Sequence, residues 1–163
     1  MNYPDRGVYR IEDGMKSVNG ENLAATISAE IITLGVRNIG GPFLGLGAGN
    51  AQAERGLAKR LGLEDITLVD KDHENIIGFQ GRYIESDLFK FMETEERKYG
   101  VVTAFSLEYT LEDNWLLFWK GLQNITRPDS LILVAPYDAP MPIDSSLYTT
   151  LRDQYGLIVQ RIR

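Results

Sequence analysis

The stretch Phe43-Leu44-Gly45-Leu46-Gly47-Ala48-Gly49-Asn50-Ala51 decides the fold. It starts as a short apolar run and bends through glycines at alternate positions. It then enters a helical pattern over residues 51–61, which Gly62 stops. A strand that passes into a helix through such a bend is suited to holding a ligand. Glycine allows a left-handed backbone in a tight turn and removes side chains that would keep a ligand off the main chain. The helix start adds unpaired N–H groups and the positive end of a dipole.

Working outward, apolar runs alternate with helical patterns. Ile66-Thr67-Leu68-Val69, Tyr83-Ile84, Val101-Val102-Thr103-Ala104-Phe105, Leu131-Ile132-Leu133-Val134-Ala135 and Leu157-Ile158-Val159 read as strands. Helices are expected over 88–98, over 112–124 with Trp115, Phe118, Trp119 and Leu122 on one face, and over 145–155. Pro128-Asp129 marks a turn before the fifth strand. On the N-terminal side, residues 1–20 carry Pro4, Gly7, Gly14 and Gly20 and read as an irregular arm. A leading helix over 22–35 follows, with Leu23, Ile27, Ile31 and Leu34 in register and Gly35 as its stop. Continuous apolar strands are covered on both faces, and their alternation with helices gives right-handed parallel crossovers. The fold class is α/β: one domain over 1–163 with a doubly wound, mostly parallel sheet in a three-layer α/β/α sandwich.

Composition narrows the chemistry. The chain of 163 residues is 44% hydrophobic and 25% charged, which suits a single globular domain with a full core. It has no cysteine, so disulfides, thiolate metal sites and cysteine nucleophiles are excluded, and a reducing cytoplasm is the expected location. Its single histidine, His73, rules out a multi-histidine metal site, and no metal is expected. A net charge of −6 with scattered cations disfavours nucleic acid as a partner. No apolar run approaches the roughly 20 residues of a membrane span, so no membrane partner is expected.

Beside the glycine bend, Asp70 ends the second strand 23 residues beyond Gly47, where a carboxylate can accept both ribose hydroxyls of a nucleotide. Asp87 follows the third strand. It can reach the edge of an adenine, and it equally suits the cap of the helix that begins at Leu88. Ser106, Leu107, Glu108 and Tyr109 follow the fourth strand and would line the pocket near the reacting group. All of these positions fall at the carboxyl ends of strands, where doubly wound sheets bind ligands.

Taken together, the sequence resembles the class I S-adenosylmethionine-dependent methyltransferases over about residues 42–136. Leu44-Gly45-Leu46-Gly47-Ala48-Gly49-Asn50 resembles the glycine-rich first motif, Thr67-Leu68-Val69-Asp70 the acidic second and Ser86-Asp87-Leu88 the third. The segments 101–111 and 127–134 resemble the fourth strand with its loop and the fifth strand with its turn. The resemblance implies S-adenosylmethionine as cofactor. Gly47 and Gly49 would pass close under its methionine part, with Gly45 and Asn50 of the same motif also counted as cofactor-binding. Asp70 would hold the ribose with Lys71 beside it, Asp87 and Leu88 would meet the adenine, and Ser106 and Leu107 would flank the sulfonium. Glu108 and Tyr109 are the candidates to orient a nucleophile on a small-molecule or protein acceptor.

The sequence departs from the family in several places. Gly45 stands where the family usually has an acidic residue, and Ala51 stands at the last motif glycine. Residues 71–81 leave room for a short helix at most between strands two and three. Residues 137–163 read as a single strand, so a reduced C-terminal edge is expected, with the last strand lost or supplied by a partner chain in a homodimer. Two alternatives stay open: a non-catalytic nucleotide-binding or interaction protein of the same fold, and an NAD-dependent oxidoreductase. Against the oxidoreductase, the sixth position of the dinucleotide fingerprint is Asn50 counted from Gly45, or Gln52 counted from Gly47, where glycine is wanted.

Overall fold

The computed structural model describes residues 24–49, 51–72, 79–105, 107–135, 142–152 and 156–163. The arm at 1–20 lies outside them. Among the described residues the strands are β1 (Phe43–Leu46), β2 (Ile66–Asp70), β3 (Arg82–Glu85), β4 (Tyr99–Phe105), β5 (Thr126–Ala135), β6 (Tyr148–Arg152) and β7 (Leu157–Arg161). The helices are α1 (residues 24–33), α2 (Gln52–Leu61), α3 (Leu88–Thr94), α4 (Glu108–Leu111) and α5 (Trp115–Ile125).

All seven strands form one sheet in the order β3-β2-β1-β4-β5-β7-β6. The first five are parallel, with Leu46 beside Val69 on one flank and Ala104 on the other. β7 is antiparallel to both β5 and β6. Alternate residues of the apolar strands feed opposite faces, as the pleat requires. Phe43, Val101, Phe105, Leu131, Leu133 and Ile158 pack with Ala24, Ile27 and Ile31 of α1 and with Leu57 of α2. Leu44, Leu46, Val102, Ile132 and Val134 pack with Phe91 and Met92 of α3 and with Trp115, Phe118 and Leu122 of α5. This is the expected three-layer sandwich, and both tryptophans are core residues.

The helix ends follow local chemistry. Gly35 and Gly62 adopt φ of 67° and 71° and stop α1 and α2. α3 ends at Thr94, short of the expected 98. The Glu95 carboxylate accepts from its own Arg97 N–H at 3.1 Å and from the Tyr99 hydroxyl at 3.0 Å, which holds the chain extended. The turn at Pro128-Asp129 lies inside β5, as an excursion between the pairs Tyr99–Thr126 and Val101–Leu131. Asp129 there has φ 72°.

The C-terminal third corrects two expectations. Among the described residues of 145–155, none is helical. Asp144 closes a single turn by accepting from the Ser146 N–H at 2.9 Å and from the Ser146 hydroxyl at 2.6 Å. The chain then extends as β6, with Tyr148 buried and Thr149 and Thr150 exposed. The sheet edge is therefore not reduced. Both terminal strands come from this chain, and no second copy is needed to supply one. Between β5 and β6 no helix is present among the described residues.

Candidate functional site

The sheet order places a switch point between β1 and β4. Successive crossovers from β1 lead to β2 and β3 on one side, and β4 and β5 lie on the other. A crevice opens above the carboxyl ends of strands at such a point. There the structure has a cleft of about 180 Å³ lined by Gly47, Val69, Asp70, Lys71, Ser86, Asp87, Leu88, Leu107 and Thr110.

The glycine bend forms one wall. Gly47 and Gly49 have φ of 63° and 55°, and Ala51 adopts 58° as it enters α2. The bend folds over the tip of β2: the N–H groups of Gly47 and Ala48 donate to Val69 O at 2.7 and 3.2 Å. A Cβ on Gly47 would lie 2.3 Å from Leu107 Cδ2, so the absence of a side chain at Gly47 lets β1 and the segment after β4 close together.

Asp70 ties the bend to β2. Its Oδ2 accepts from Gly49 N–H at 2.8 Å, and its Oδ1 accepts from Asp72 N–H at 3.1 Å. A carboxylate has about four acceptor positions. Each Asp70 oxygen therefore keeps a lone pair while the carboxylate is locked in orientation. Ser86 N–H donates to Asp70 O at 2.9 Å, which draws the β2 and β3 tips together. Asp87 caps α3 through one oxygen: Oδ1 accepts from the N–H groups of Phe89 and Lys90, each at 3.0 Å. Asp87 thus takes the capping role that was open in the sequence and lines the cleft as well.

Of the residues singled out from sequence, Gly47, Asp70, Lys71, Asp87, Leu88 and Leu107 come together at this cleft. Gly49 joins them through its bond to Asp70. Gly45 is set apart: it lies buried inside β1, facing Glu54 of α2. Asn50, Ser106 and His73 lie outside the described residues. Glu108 and Tyr109 open α4, and their side chains are not among those described. Sequence reasoning gave no role to Val69, Ser86 or Thr110, which also line the cleft. Thr110 had a usable signal, since it lies three residues beyond Leu107 at helical spacing. No group of three or more His, Asp or Glu side chains that could hold a metal occurs among the described residues.

No protein-family model and no curated protein matches the sequence. Solved structures do match the fold. Magnesium protoporphyrin IX methyltransferase (ChlM) from Synechocystis PCC 6803, crystallised with bound SAM, is 14% identical over 97% of this chain and 88% of its own, with a TM-score of 0.57. The Escherichia coli protein yhhF, a proposed methyltransferase, is 14% identical over 85% of this chain and 84% of its own, with a TM-score of 0.57. The plantazolicin methyltransferase BpumL in complex with SAH is 22% identical over 79% of this chain and 55% of its own, with a TM-score of 0.54. At these identities the likeness is one of architecture, and the chain has the Rossmann-like fold of the S-adenosylmethionine-dependent methyltransferases.

Proposed function

We propose that the protein is an S-adenosylmethionine-dependent methyltransferase acting on a small-molecule or protein acceptor. One observation carries the proposal. Asp70 and Asp87, on neighbouring strand tips, line a single cleft beside a glycine bend that Asp70 itself fastens. The residues present fit an adenosine. The free lone pairs of Asp70 suit two vicinal hydroxyls, Leu88 and Leu107 offer apolar faces to a base, and Asp87 lies beside them to accept from an exocyclic amine.

S-adenosylmethionine, when bound, supplies a methyl group on a positively charged sulfur. The chain's own part would be to hold the nucleophile and the methyl donor together, and proximity of this kind accounts for much of such a rate gain. Glu108 and Tyr109, at the start of α4, are the candidates to orient the nucleophile and take its proton. A cysteine-free sequence with a charge of −6 supports a reducing cytoplasm and an acceptor other than nucleic acid.

The dinucleotide alternative loses support from the sheet. Its usual strand order continues in parallel to a sixth strand. Here β7 runs antiparallel between β5 and β6. Calorimetry with S-adenosylhomocysteine and with NAD tests the proposal. Binding of S-adenosylhomocysteine alone is expected. Binding of NAD alone would overturn the proposal, and binding of neither would favour a non-catalytic protein of this fold.

A further inference from the structure

One of the two hydrogen bonds that hold Asp70 is itself supported from outside the cleft. Asp70 Oδ1 accepts from Asp72 N–H, which closes a local turn in an exposed loop. Water competes with such a bond, so the turn by itself is a weak clamp on the carboxylate. Tyr83 of β3 adds a second anchor. Its hydroxyl donates to Asp72 O at 3.0 Å, across to the loop beyond the tip of β2.

The setting of Tyr83 explains that reach. In the sheet it stands beside Leu68, two residues before Asp70. Its ring is partly buried against the small cluster of Ala48, Ala51 and Leu68, so it touches the segment of the glycine bend as well as β2. Packing of the ring restricts its torsions, and the hydroxyl is aimed at Asp72 before any ligand arrives. One side chain thus braces the bend with its ring and the loop after β2 with its hydroxyl. Asp70 lies between the two, bonded to Gly49 on one side and to Asp72 on the other. Tyr83 is not among the residues that line the cleft. We infer that Tyr83 is a positioning residue: by fixing Asp72 it holds the Asp70 carboxylate in the orientation that presents a free lone pair from each oxygen to two vicinal hydroxyls. This rests on the adenosine placement proposed above and deepens it, because it assigns the recognition of the ribose to a braced unit of Tyr83, Asp72 and Asp70.

The test is calorimetry on the full chain and on Tyr83→Phe, which keeps the ring and removes only the hydroxyl. The probes are adenosine and 2′,3′-dideoxyadenosine, which differ only in the hydroxyls that Asp70 would accept. Wild type is expected to prefer adenosine about tenfold or more. Tyr83→Phe is expected to bind adenosine about fivefold more weakly and dideoxyadenosine as before. In an Asp70→Ala background the same substitution is expected to change neither affinity, since the two residues act in one chain of bonds. Equal weakening toward both probes, with or without a stability loss in urea titration, would assign Tyr83 a structural role only and overturn the inference. So would unchanged affinities, or a fall of the same size in the Asp70→Ala background. A wild-type chain that binds neither probe, or binds both alike, instead removes the adenosine placement itself.

Discussion

Asp70 has two tasks in one carboxylate: it fastens Gly49 of the bend and faces the cleft. Asp70→Ala is therefore expected to weaken S-adenosylmethionine binding about tenfold or more, since hydrogen bonds to charged groups contribute about 1.5–3 kcal/mol. An unchanged dissociation constant in calorimetry would remove Asp70 from the site. Gly47 is constrained from another direction. Its φ of 63° and the contact with Leu107 mean that Gly47→Ala strains the backbone and drives Leu107 toward the cleft. A stability loss of about 1–2 kcal/mol is expected in urea titration, with a larger proportional loss of ligand affinity. An affinity that falls no further than stability would show that Leu107 yields elsewhere. Such residues were legible in sequence because backbone geometry selects glycine and strand tips select a short acid. Tyr83 was legible only as a strand residue, because nothing in the sequence places its hydroxyl against Asp72.

At the level of elements, the strands built on apolar runs and the helices with strong periodicity could be read directly, while boundaries depended on side chains capturing the backbone. Glu95 shows this most clearly. Burial alone would raise its pKa, but the Arg97 N–H, the Tyr99 hydroxyl and the Arg82 guanidinium hold it below its ordinary 4.5. The same bonds end α3 and tie β3 to β4. A carboxylate whose folded-state pKa is depressed contributes stability above its unfolded value and loses it as pH falls through the folded value. Wild type should therefore exceed Glu95→Gln in stability near neutral pH, and the gap should close below about pH 4.5. Parallel urea titrations across that range check this, and a gap independent of pH would assign the effect to packing. β6 was misread for a related reason. Leu147, Tyr148 and Leu151 fit a helical face, yet the Asp144 turn and the waiting edge of β7 fix the segment as a strand. Periodicity over so few residues cannot outweigh a partner strand.

On the scale of the molecule, the sheet is held by a strand out of sequence order. β7 sits between β5 and β6 and pairs with both: Val159 lies opposite Ile132 on one side and Thr150 on the other. Val159 is also fully buried. Val159→Pro should abolish cooperative folding, since proline within a doubly paired strand removes a ladder donor and clashes with its neighbours. Circular dichroism that still showed a wild-type melting transition would contradict this. The same placement bears on biosynthesis. While a ribosome has released the chain only as far as β6, that hairpin arm has nothing to zip against and the flank of β5 stays bare. Assembly on this side must wait for later residues and then run backward along the sequence, so a translational pause between residues 152 and 157 would leave an adhesive, half-built flank for chaperones to shield.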